Sequence, residues 1–242
     1  MESNNNTSDS SQSNNSEVLK KFEEANKERV QIIKKEFEEG FKFLGNNPLS
    51  VSVFGSSRFK ENNVFYEHAR KLGGKIASEL KYSVSTGGGP GIMEAANRGA
   101  FEAGGTSLGL TIHLPREQHT NEYLTDKIEF YYFFSRKVCL SFSAEAYVFY
   151  PGGFGTLDEF FEIITLVQTQ KISSVPIILV GKKYWKKFDK IIKKHLSEKF
   201  QTISPEDSKL YTITDDFDQI IEIIKKAPQR DGLNNHRSGL EV

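Results

Sequence analysis

Residues 146–168 read AYVFYPGGFGTLDEFFEIITLVQ, and this stretch decides the fold. An apolar run over residues 146–150 is followed by a turn rich in proline and glycine, Pro151 to Gly155, and then by an amphipathic run that starts at Leu157. A strand that ends in glycines and re-enters as a helix directs free backbone N–H groups, and the positive end of the helix, at whatever lies above the turn. The stretch therefore predicts a binding site for an anion.

A second strand–glycine–helix turn lies earlier in the chain. A short strand at 83–85 runs into Thr86-Gly87-Gly88-Gly89-Pro90-Gly91-Ile92-Met93-Glu94, and a helix at about 90–103 follows. This loop has neither the G-x-G-x-x-G spacing of a dinucleotide-binding fingerprint nor the lysine of a P-loop. Glycine-rich turns also form for purely steric reasons, so the loop alone leaves a structural and a binding role open. In a parallel sheet, however, both turns would lie at the carboxyl edge and could share one ligand.

The rest of the chain alternates strands and helices in the same rhythm. Strands are predicted at 49–55, 107–112, 128–133, 175–180 and 210–213, and helices at 64–80, 135–142, 184–199 and 216–226. This βαβα order predicts an α/β fold with a parallel sheet. The exit of the first strand, Gly55-Ser56-Ser57-Arg58, is a further candidate for ligand contact.

The two ends of the chain differ from this pattern. Residues 1–16 are almost all Asn, Ser, Asp, Thr and Gln, and ordering them would cost entropy without burying apolar surface, so we expect a disordered tail. Apolar residues at helical spacing over 17–45 predict an amphipathic helix in front of the domain at 46–227. This helix either packs over its own domain or forms a contact between subunits. Residues 228–242 are expected to form a loose tail.

Composition narrows the class of partner. Lys+Arg and Asp+Glu both number 32, so no net charge favours nucleic acid or an anionic membrane. No apolar run approaches the roughly 20 residues that cross a bilayer, and no signal-peptide pattern is present. The single cysteine, Cys139, excludes an internal disulfide, and the five His residues show no metal-ligand spacing. We expect a soluble, cytoplasmic protein that binds a small molecule, with no metal, no nucleic acid and no membrane partner.

Two groups of polar residues have both a structural and a functional interpretation. Thr156-Leu157-Asp158-Glu159 fits a T-x-x-E capping box, but the glycines before it serve close approach of a phosphate and not capping. A carboxylate repels phosphate, so Glu159 is expected to meet the neutral, reacting end of the ligand. Arg136 and Lys137 open a helix, where cations are unfavourable unless an anion compensates them. They are either a solvated pair or part of the site.

Together these motifs resemble the LOG (LONELY GUY) family. The resemblance covers about residues 49–226 and rests on Phe54-Gly55-Ser56-Ser57, residues 86–97, Ser135-Arg136-Lys137 and the P-G-G-x-G-T-x-x-E motif at 151–159. It implies a Rossmann-like, doubly wound parallel sheet flanked by helices. It also implies a nucleoside 5′-monophosphate phosphoribohydrolase, which hydrolyses the N-glycosidic bond of AMP or N6-modified AMP (a cytokinin riboside 5′-monophosphate) to free base and ribose 5-phosphate. This hydrolysis requires no metal or redox cofactor, and the resemblance implies a homodimer or higher homo-oligomer.

On the family's pattern the catalytic residues are Arg136 and Glu159. Cleavage at C1′ passes through an oxocarbenium-like state, which a carboxylate stabilises and whose water it can activate; Arg136 either orients the phosphoribose or eases departure of the base. The implied substrate-binding residues are Gly55, Ser56, Gly87, Gly88, Gly89, Gly91, Met93, Glu94, Lys137, Gly152, Gly153, Gly155 and Thr156. Met93, His113 and residues 115–124 are candidate neighbours of the base, whose identity stays open.

The sequence leaves one other function open and gives no support to a second. Relatives of this fold carry the molybdenum cofactor or sense nucleotides without turnover, so a non-catalytic binding protein is the alternative. A pyridoxal-phosphate lysine decarboxylase would need a Schiff-base lysine and a partner for the pyridine nitrogen. No stretch of the sequence suggests either group.

Overall fold

A parallel sheet forms the centre of the molecule, in a computed structural model that describes residues 8–113 and 119–228. In this part of the chain the sheet has seven strands, β1 Ser50–Phe54, β2 Ser83–Thr86, β3 Ser107–Ile112, β4 Asp126–Phe130, β5 Ala146–Phe149, β6 Ile177–Leu179 and β7 Thr212–Ile213. Their order is 4-3-2-1-5-6-7, and every neighbouring pair is parallel. The chain builds outward from β1 to β4, then returns beside β1 and builds outward from β5. The doubly wound α/β fold that the sequence predicts is confirmed.

Helices cover both faces of the sheet. They are α1 Ser8–Gly45, α2 Val64–Lys75, α3 Ile92–Glu102, α4 Phe133–Ser141, α5 Phe154–Gln168, α6 Lys182–Ile191 and α7 Phe217–Lys225. Two of them, α2 and α6, continue into wider helical turns over Ile76–Leu80 and Ile192–Lys199, and a short 3₁₀ turn spans Glu206–Lys209. No helix in the described ranges combines the length and the apolar character needed to span a membrane.

Strand β5 shows how the sequence builds two cores. All four of its residues are buried, as a strand covered by helices on both faces requires. Tyr147 and Phe149 face the core that α1, α4, α5 and α6 cover, whereas Ala146 and Val148 face the core of α2, α3 and α7. The apolar run is therefore continuous because alternate side chains enter opposite cores.

The added helix α1 packs over its own domain through its last turns. Phe37, Phe43 and Leu44 join the core beside α4. Earlier in the helix Leu19 and Phe22 are 63% and 64% exposed. The packed end supports the interpretation that this helix packs over its own domain. The exposed side chains are also compatible with a contact between subunits.

The start of α1 and the chain ends differ from the predicted limits. The helix begins at Ser8, so residues 8–16, for which the sequence predicts a tail, are its first turns. Extending an existing helix adds one hydrogen bond per residue, which is easier than starting one. Residues 1–7 and 229–242 lie outside the described residues. The tail predicted at 228–242 therefore lies outside them except for residue 228. The domain limits otherwise stay a prediction.

The junction between β4 and α4 is the main shift against the predicted elements. The strand is Asp126–Phe130 rather than 128–133, and the helix starts at Phe133 rather than Ser135. Pairing with β3 runs from Leu108↔Asp126 to Ile112↔Phe130, so β4 ends where its partner ends. The apolar, aromatic composition of 128–133 cannot show this, because the limit is set by the neighbouring strand.

Candidate active site

The turns after β1 and β5 meet where the winding direction of the sheet reverses. Ser56 N donates to Pro151 O (3.0 Å), and Ile92 N donates to Ser56 O (3.0 Å). These bonds join the exit of β1, the exit of β5 and the start of α3. Ligands of open α/β sheets bind at this position. We call the three joined turns, 55–58, 86–91 and 151–155, the cradle.

The glycine loop of the cradle is partly shaped by packing. Gly88 has φ +71°, its N–H donates to Thr86 Oγ1 (2.9 Å), and a Cβ there would lie 2.6 Å from Thr111 Cγ2. Gly91 has φ +73°, and a Cβ would lie 2.7 Å from the carbonyl carbon of Ser57. A side chain at either position would be strained and would clash. The structural interpretation therefore accounts for these two glycines without a ligand.

Gly87 has a different neighbour, the side chain of Arg136. A Cβ at Gly87 would overlap the Arg136 guanidinium and lie 2.9 Å from Met93 Sδ. The guanidinium is fixed by a hydrogen bond from Nε to Leu110 O (2.7 Å). Burial lowers the pKa of this guanidinium and the nearby Glu159 carboxyl opposes the change; arginine nevertheless stays charged. The structure thus brings Arg136, Gly87 and Met93 together.

The start of α5 excludes the capping-box interpretation. Gly153 is the N-cap and Phe154 the first helical residue, so Thr156 lies inside the first turn and cannot be a cap. Gly153 and Gly155 are exposed, and a Cβ at either would meet no atom within 4 Å. The first N–H groups of a helix have no acceptor within it. The open space in front of Gly153 and Gly155 leaves room for an anion at this end of the helix.

Gly152 connects this turn to α5 and α6. A Cβ at Gly152 would overlap the Thr156 side chain, whose Cγ2 would lie at 2.9 Å, and Thr156 itself is buried. The Gly152 carbonyl accepts a hydrogen bond from Tyr184 OH (2.7 Å). The turn is therefore held in one shape by α5 on one side and by α6 on the other.

Glu159 is the buried carboxylate of the site. It is 7% exposed, and its Oε2 has no hydrogen-bond partner in the described part of the chain. Burial raises the pKa of the Glu159 carboxyl to about 7, against the opposing charges of Lys137 and Arg136. A carboxyl that titrates near neutrality beside a half-buried cation, Arg136, is typical of a functional site.

Lys137 is neither solvated nor free. Its Nζ forms ion pairs with Asp158 Oδ2 (2.5 Å) and Glu162 Oε2 (2.7 Å), which join α4 to α5. The interpretation of Arg136 and Lys137 as a solvated pair is wrong. Because two carboxylates already neutralise the ammonium, its assigned contact with substrate stays a prediction.

The remaining residues with predicted contacts differ in burial and in their neighbours. Glu94 Oε1 accepts a hydrogen bond from Tyr66 OH (2.7 Å), which holds the carboxylate towards α2. Gly89 is buried and Gly55 half-buried. His113 is exposed after β3, with its ring 6.4 Å from the ring of Tyr131. Of the segment 115–124, residues 115–118 lie outside the described residues.

Sequence reasoning missed the amides that hold the glycine loop. Asn121 N donates to Gly88 O (2.9 Å), and Asn121 Nδ2 donates to Gly89 O (3.1 Å) and Asn97 Oδ1 (3.0 Å). Asn97 in turn donates to Ser107 Oγ (2.8 Å). Both amides are buried. The prediction that residues 115–124 are neighbours of the base was the available signal for Asn121, and it did not single out this residue.

Comparison with known proteins gives the family. Residues 93–224, more than half of the chain, match the family model described as "Possible lysine decarboxylase", which covers the LOG family. The chain belongs to the LOG family. The family predicted from the motifs is thereby confirmed. The matched residues begin inside α3, so they do not include the glycine turn at 86–91.

Curated LOG relatives are similar over part of their length. The chain is 29% identical over 122 residues to a cytokinin riboside 5′-monophosphate phosphoribohydrolase of Rhodococcoides fascians, which covers 49% of this chain and 61% of the relative. It is 28% identical over 122 residues to cytokinin riboside 5′-monophosphate phosphoribohydrolase LOG5 of Arabidopsis thaliana, covering 49% of this chain and 52% of that one. The chain thus spans between half and two thirds of these two relatives.

Solved structures share the LOG fold. The molybdenum cofactor carrier protein of Chlamydomonas reinhardtii has a TM-score of 0.56 at 23% identity, covering 74% of this chain and 97% of that one. The molybdenum cofactor binding protein of Rippkaea orientalis has a TM-score of 0.50 at 21% identity, covering 73% and 94%. At these identities the likeness shows the fold alone.

Proposed function

We propose that this LOG protein is a nucleoside 5′-monophosphate phosphoribohydrolase. It hydrolyses the N-glycosidic bond of AMP or N6-modified AMP and releases the free base and ribose 5-phosphate. Two curated relatives carry the name of a phosphoribohydrolase, which supports the hydrolase class. The observation that carries the proposal is Glu159, a buried carboxyl with an unpartnered oxygen and a pKa of about 7 beside the open start of α5.

The start of α5 and the Glu159 carboxyl have complementary chemistry. The free N–H groups at the start of α5, in front of Gly153 and Gly155, receive the 5′-phosphate of the substrate. Glu159 lies further along the same helix and faces the sugar. Its carboxylate stabilises the positive charge that develops at C1′ and accepts a proton from the attacking water.

The proposed reaction balances without a cofactor. The water oxygen forms a bond to C1′ while the C1′–N bond breaks. The electron pair of the C1′–N bond leaves with the base. The proton that Glu159 accepts from water is returned to the departing base, directly or through solvent. A general base is most effective when its pKa lies near the working pH, and burial brings the Glu159 carboxyl to about 7.

Arg136 supplies the cation opposite this carboxyl. It lies against Gly87 and Met93, so its guanidinium can hold the phosphoribosyl group or polarise the leaving base. The two roles have different kinetic signatures. If Arg136→Ala mainly raises KM, the residue binds the phosphoribosyl group, whereas an equal fall in kcat and kcat/KM assigns it to departure of the base.

A panel of monophosphates tests the proposal. Purified protein is incubated with purine and pyrimidine 5′-monophosphates, including N6-isopentenyl-AMP, and free base and ribose 5-phosphate are measured by chromatography. At least one member should be cleaved, and Glu159→Ala and Arg136→Ala should slow cleavage by on the order of 100- to 1000-fold. Glu39→Gln, at an exposed site on α1, is the control for folding and handling. A panel that stays intact contradicts the proposal.

A non-catalytic carrier is the second candidate, because molybdenum cofactor carrier proteins share the fold. Tight binding of AMP, or a co-purifying pterin chromophore, without turnover would support it. Glu159 favours the enzyme over a carrier, because a buried, unpartnered carboxyl costs stability and a carrier has no proton-transfer step that would use it. A cytoplasmic location and a homodimer or higher homo-oligomer belong to the same proposal, and light scattering after size-exclusion chromatography tests the latter.

A further inference from the structure

Glu36 on α1 lies at the start of the helix that carries Arg136. It is 8% exposed, and its Oε1 accepts hydrogen bonds from Tyr131 N and from Tyr132 N, the latter at 3.2 Å. Gly40, one turn further along α1, permits this approach, because a Cβ there would overlap the sulphur of Cys139. The two helices therefore touch closely where Glu36 reaches across.

Helix α4 lacks a cap from its own sequence. Its N-cap residue, Tyr132, makes no side-chain capping bond, and its first turn contains no acidic residue. Arg136 and Lys137 instead place two cations near the positive end of the helix, which is unfavourable. The carboxylate of Glu36 supplies from another helix both the acceptor and the negative charge that this end needs.

Glu36 stabilises the contact between α1 and α4 less than an apolar side chain would. Its Oε2 is buried and has no hydrogen-bond partner among the described residues. A half-satisfied buried carboxylate stabilises a contact less than a well-packed apolar side chain does. Positions that cost stability in this way are expected where function requires them.

We propose that Glu36 is a positioning residue for Arg136, an inference that rests on the proposed function. By holding the N–H groups of Tyr131 and Tyr132, Glu36 fixes the first turn of α4, in which Arg136 N donates to Tyr132 O (3.3 Å). That turn sets the direction in which the Arg136 side chain reaches Leu110 O and Gly87. Residue 36 lies outside the residues 93–224 that match the family model, so α1 completes the site from beyond the matched region.

Three single variants test the role of the acceptor. Glu36→Ala removes it, and misplacement of Arg136 by about 1 Å should lower kcat/KM by about 10- to 100-fold. Glu36→Gln keeps one carbonyl oxygen at the same distance and should recover most of the activity. Glu38→Gln is the matched control, because Glu38 is 66% exposed and paired with Lys34 on the same helix, and it should leave kcat/KM unchanged.

A double-mutant cycle separates positioning from general loosening of the protein. In an Arg136→Ala background, Glu36→Ala should cause little further loss of the residual kcat/KM, because the side chain through which Glu36 acts is gone. The same loss in both backgrounds would show a merely structural role and overturn the inference. If Glu36→Ala does not fold, Glu36→Asp replaces it in the cycle, since its shorter side chain cannot reach both N–H groups.

The two proposals fail in distinguishable ways. Wild-type protein that hydrolyses no monophosphate refutes the proposed function, and this inference falls with it. Active wild-type protein whose Glu36 variants match it in kcat/KM refutes the inference alone. Activity that falls in Glu36→Ala, recovers in Glu36→Gln and is insensitive to Glu36 when Arg136 is absent supports both.

Discussion

Glu159→Gln should remove the activity and at the same time stabilise the folded protein at alkaline pH. Burial raises the pKa of the Glu159 carboxyl from its ordinary value of 4.5 to about 7. The folded state therefore keeps this proton to a higher pH than the unfolded state, so stability falls as the pH rises from 4.5 through 7. The difference between 7 and 4.5, at about 1.36 kcal/mol per pH unit, amounts to about 3 kcal/mol above pH 8.

Urea unfolding at pH 5 and pH 8.5 measures this cost. The single tryptophan, Trp185, is fully buried and its fluorescence reports unfolding. Glutamine has the same shape without the charge, so the free energy of unfolding should exceed that of wild type by about 1 kcal/mol or less at pH 5 and by up to about 3 kcal/mol at pH 8.5. Glu39→Gln, at a side chain that is 58% exposed, should change it by less than about 0.5 kcal/mol at either pH.

The pH dependence is the part of this result that can refute the reasoning. A gain that is equal at both pH values would come from packing and not from the charge. A loss of stability at pH 8.5 would mean that the folded protein favours the ionised carboxylate. Either result would remove the physical basis for Glu159 as a general base that titrates near pH 7.

Three further predictions concern the same region. The kcat/KM of the wild type should rise with pH through about 7, because Glu159 acts when its carboxyl is deprotonated. Lys137→Met should move this rise to higher pH, since the charge of Lys137 lowers the pKa of the Glu159 carboxyl. A pH–rate profile of each protein measures both effects. Gly155→Ala should raise KM without loss of stability, because its Cβ enters open space. Gly91→Ala should lower the free energy of unfolding by more than the about 1 to 3 kcal/mol of its strained φ of +73°, because its Cβ would also clash with the backbone of Ser57. The Cys139 thiol, whose pKa is raised to about 12 by burial, should resist thiol reagents at pH 8 until the protein unfolds.

The sequence predicts the cradle because its signals are local. A buried strand such as 146–149 needs a continuous apolar run, and the turn after it needs glycines at the positions where a side chain would clash or block a ligand. Parallel strands then bring two such turns to one edge without any further information. For this reason the fold and the turns at 86–91 and 151–155 follow from short stretches of sequence, whereas only the resemblance to the LOG family assigns Arg136 to the site.

The contacts between α1, α4 and α5 could not be predicted in this way. Lys137 opens a helix in the sequence, and no local pattern indicates that Asp158 and Glu162 of another helix neutralise it. Glu36 reads as one of many charges on an amphipathic helix, although it binds the N–H of Tyr131, 95 residues later. Such pairings depend on how the helices pack and leave no periodicity or spacing for a sequence argument to use.

The T-x-x-E motif shows how a small structural fact excludes one of two interpretations of the same residues. If α5 began at Leu157, Thr156 would be its cap and Glu159 would bend back to the helix start as a structural group. Because the helix begins at Phe154, Glu159 lies beyond the first turn, buried and with one oxygen unpartnered. A cap would stabilise the fold, whereas this carboxyl costs it about 3 kcal/mol above pH 8. That cost is reasonable for a group that accepts a proton in the proposed reaction.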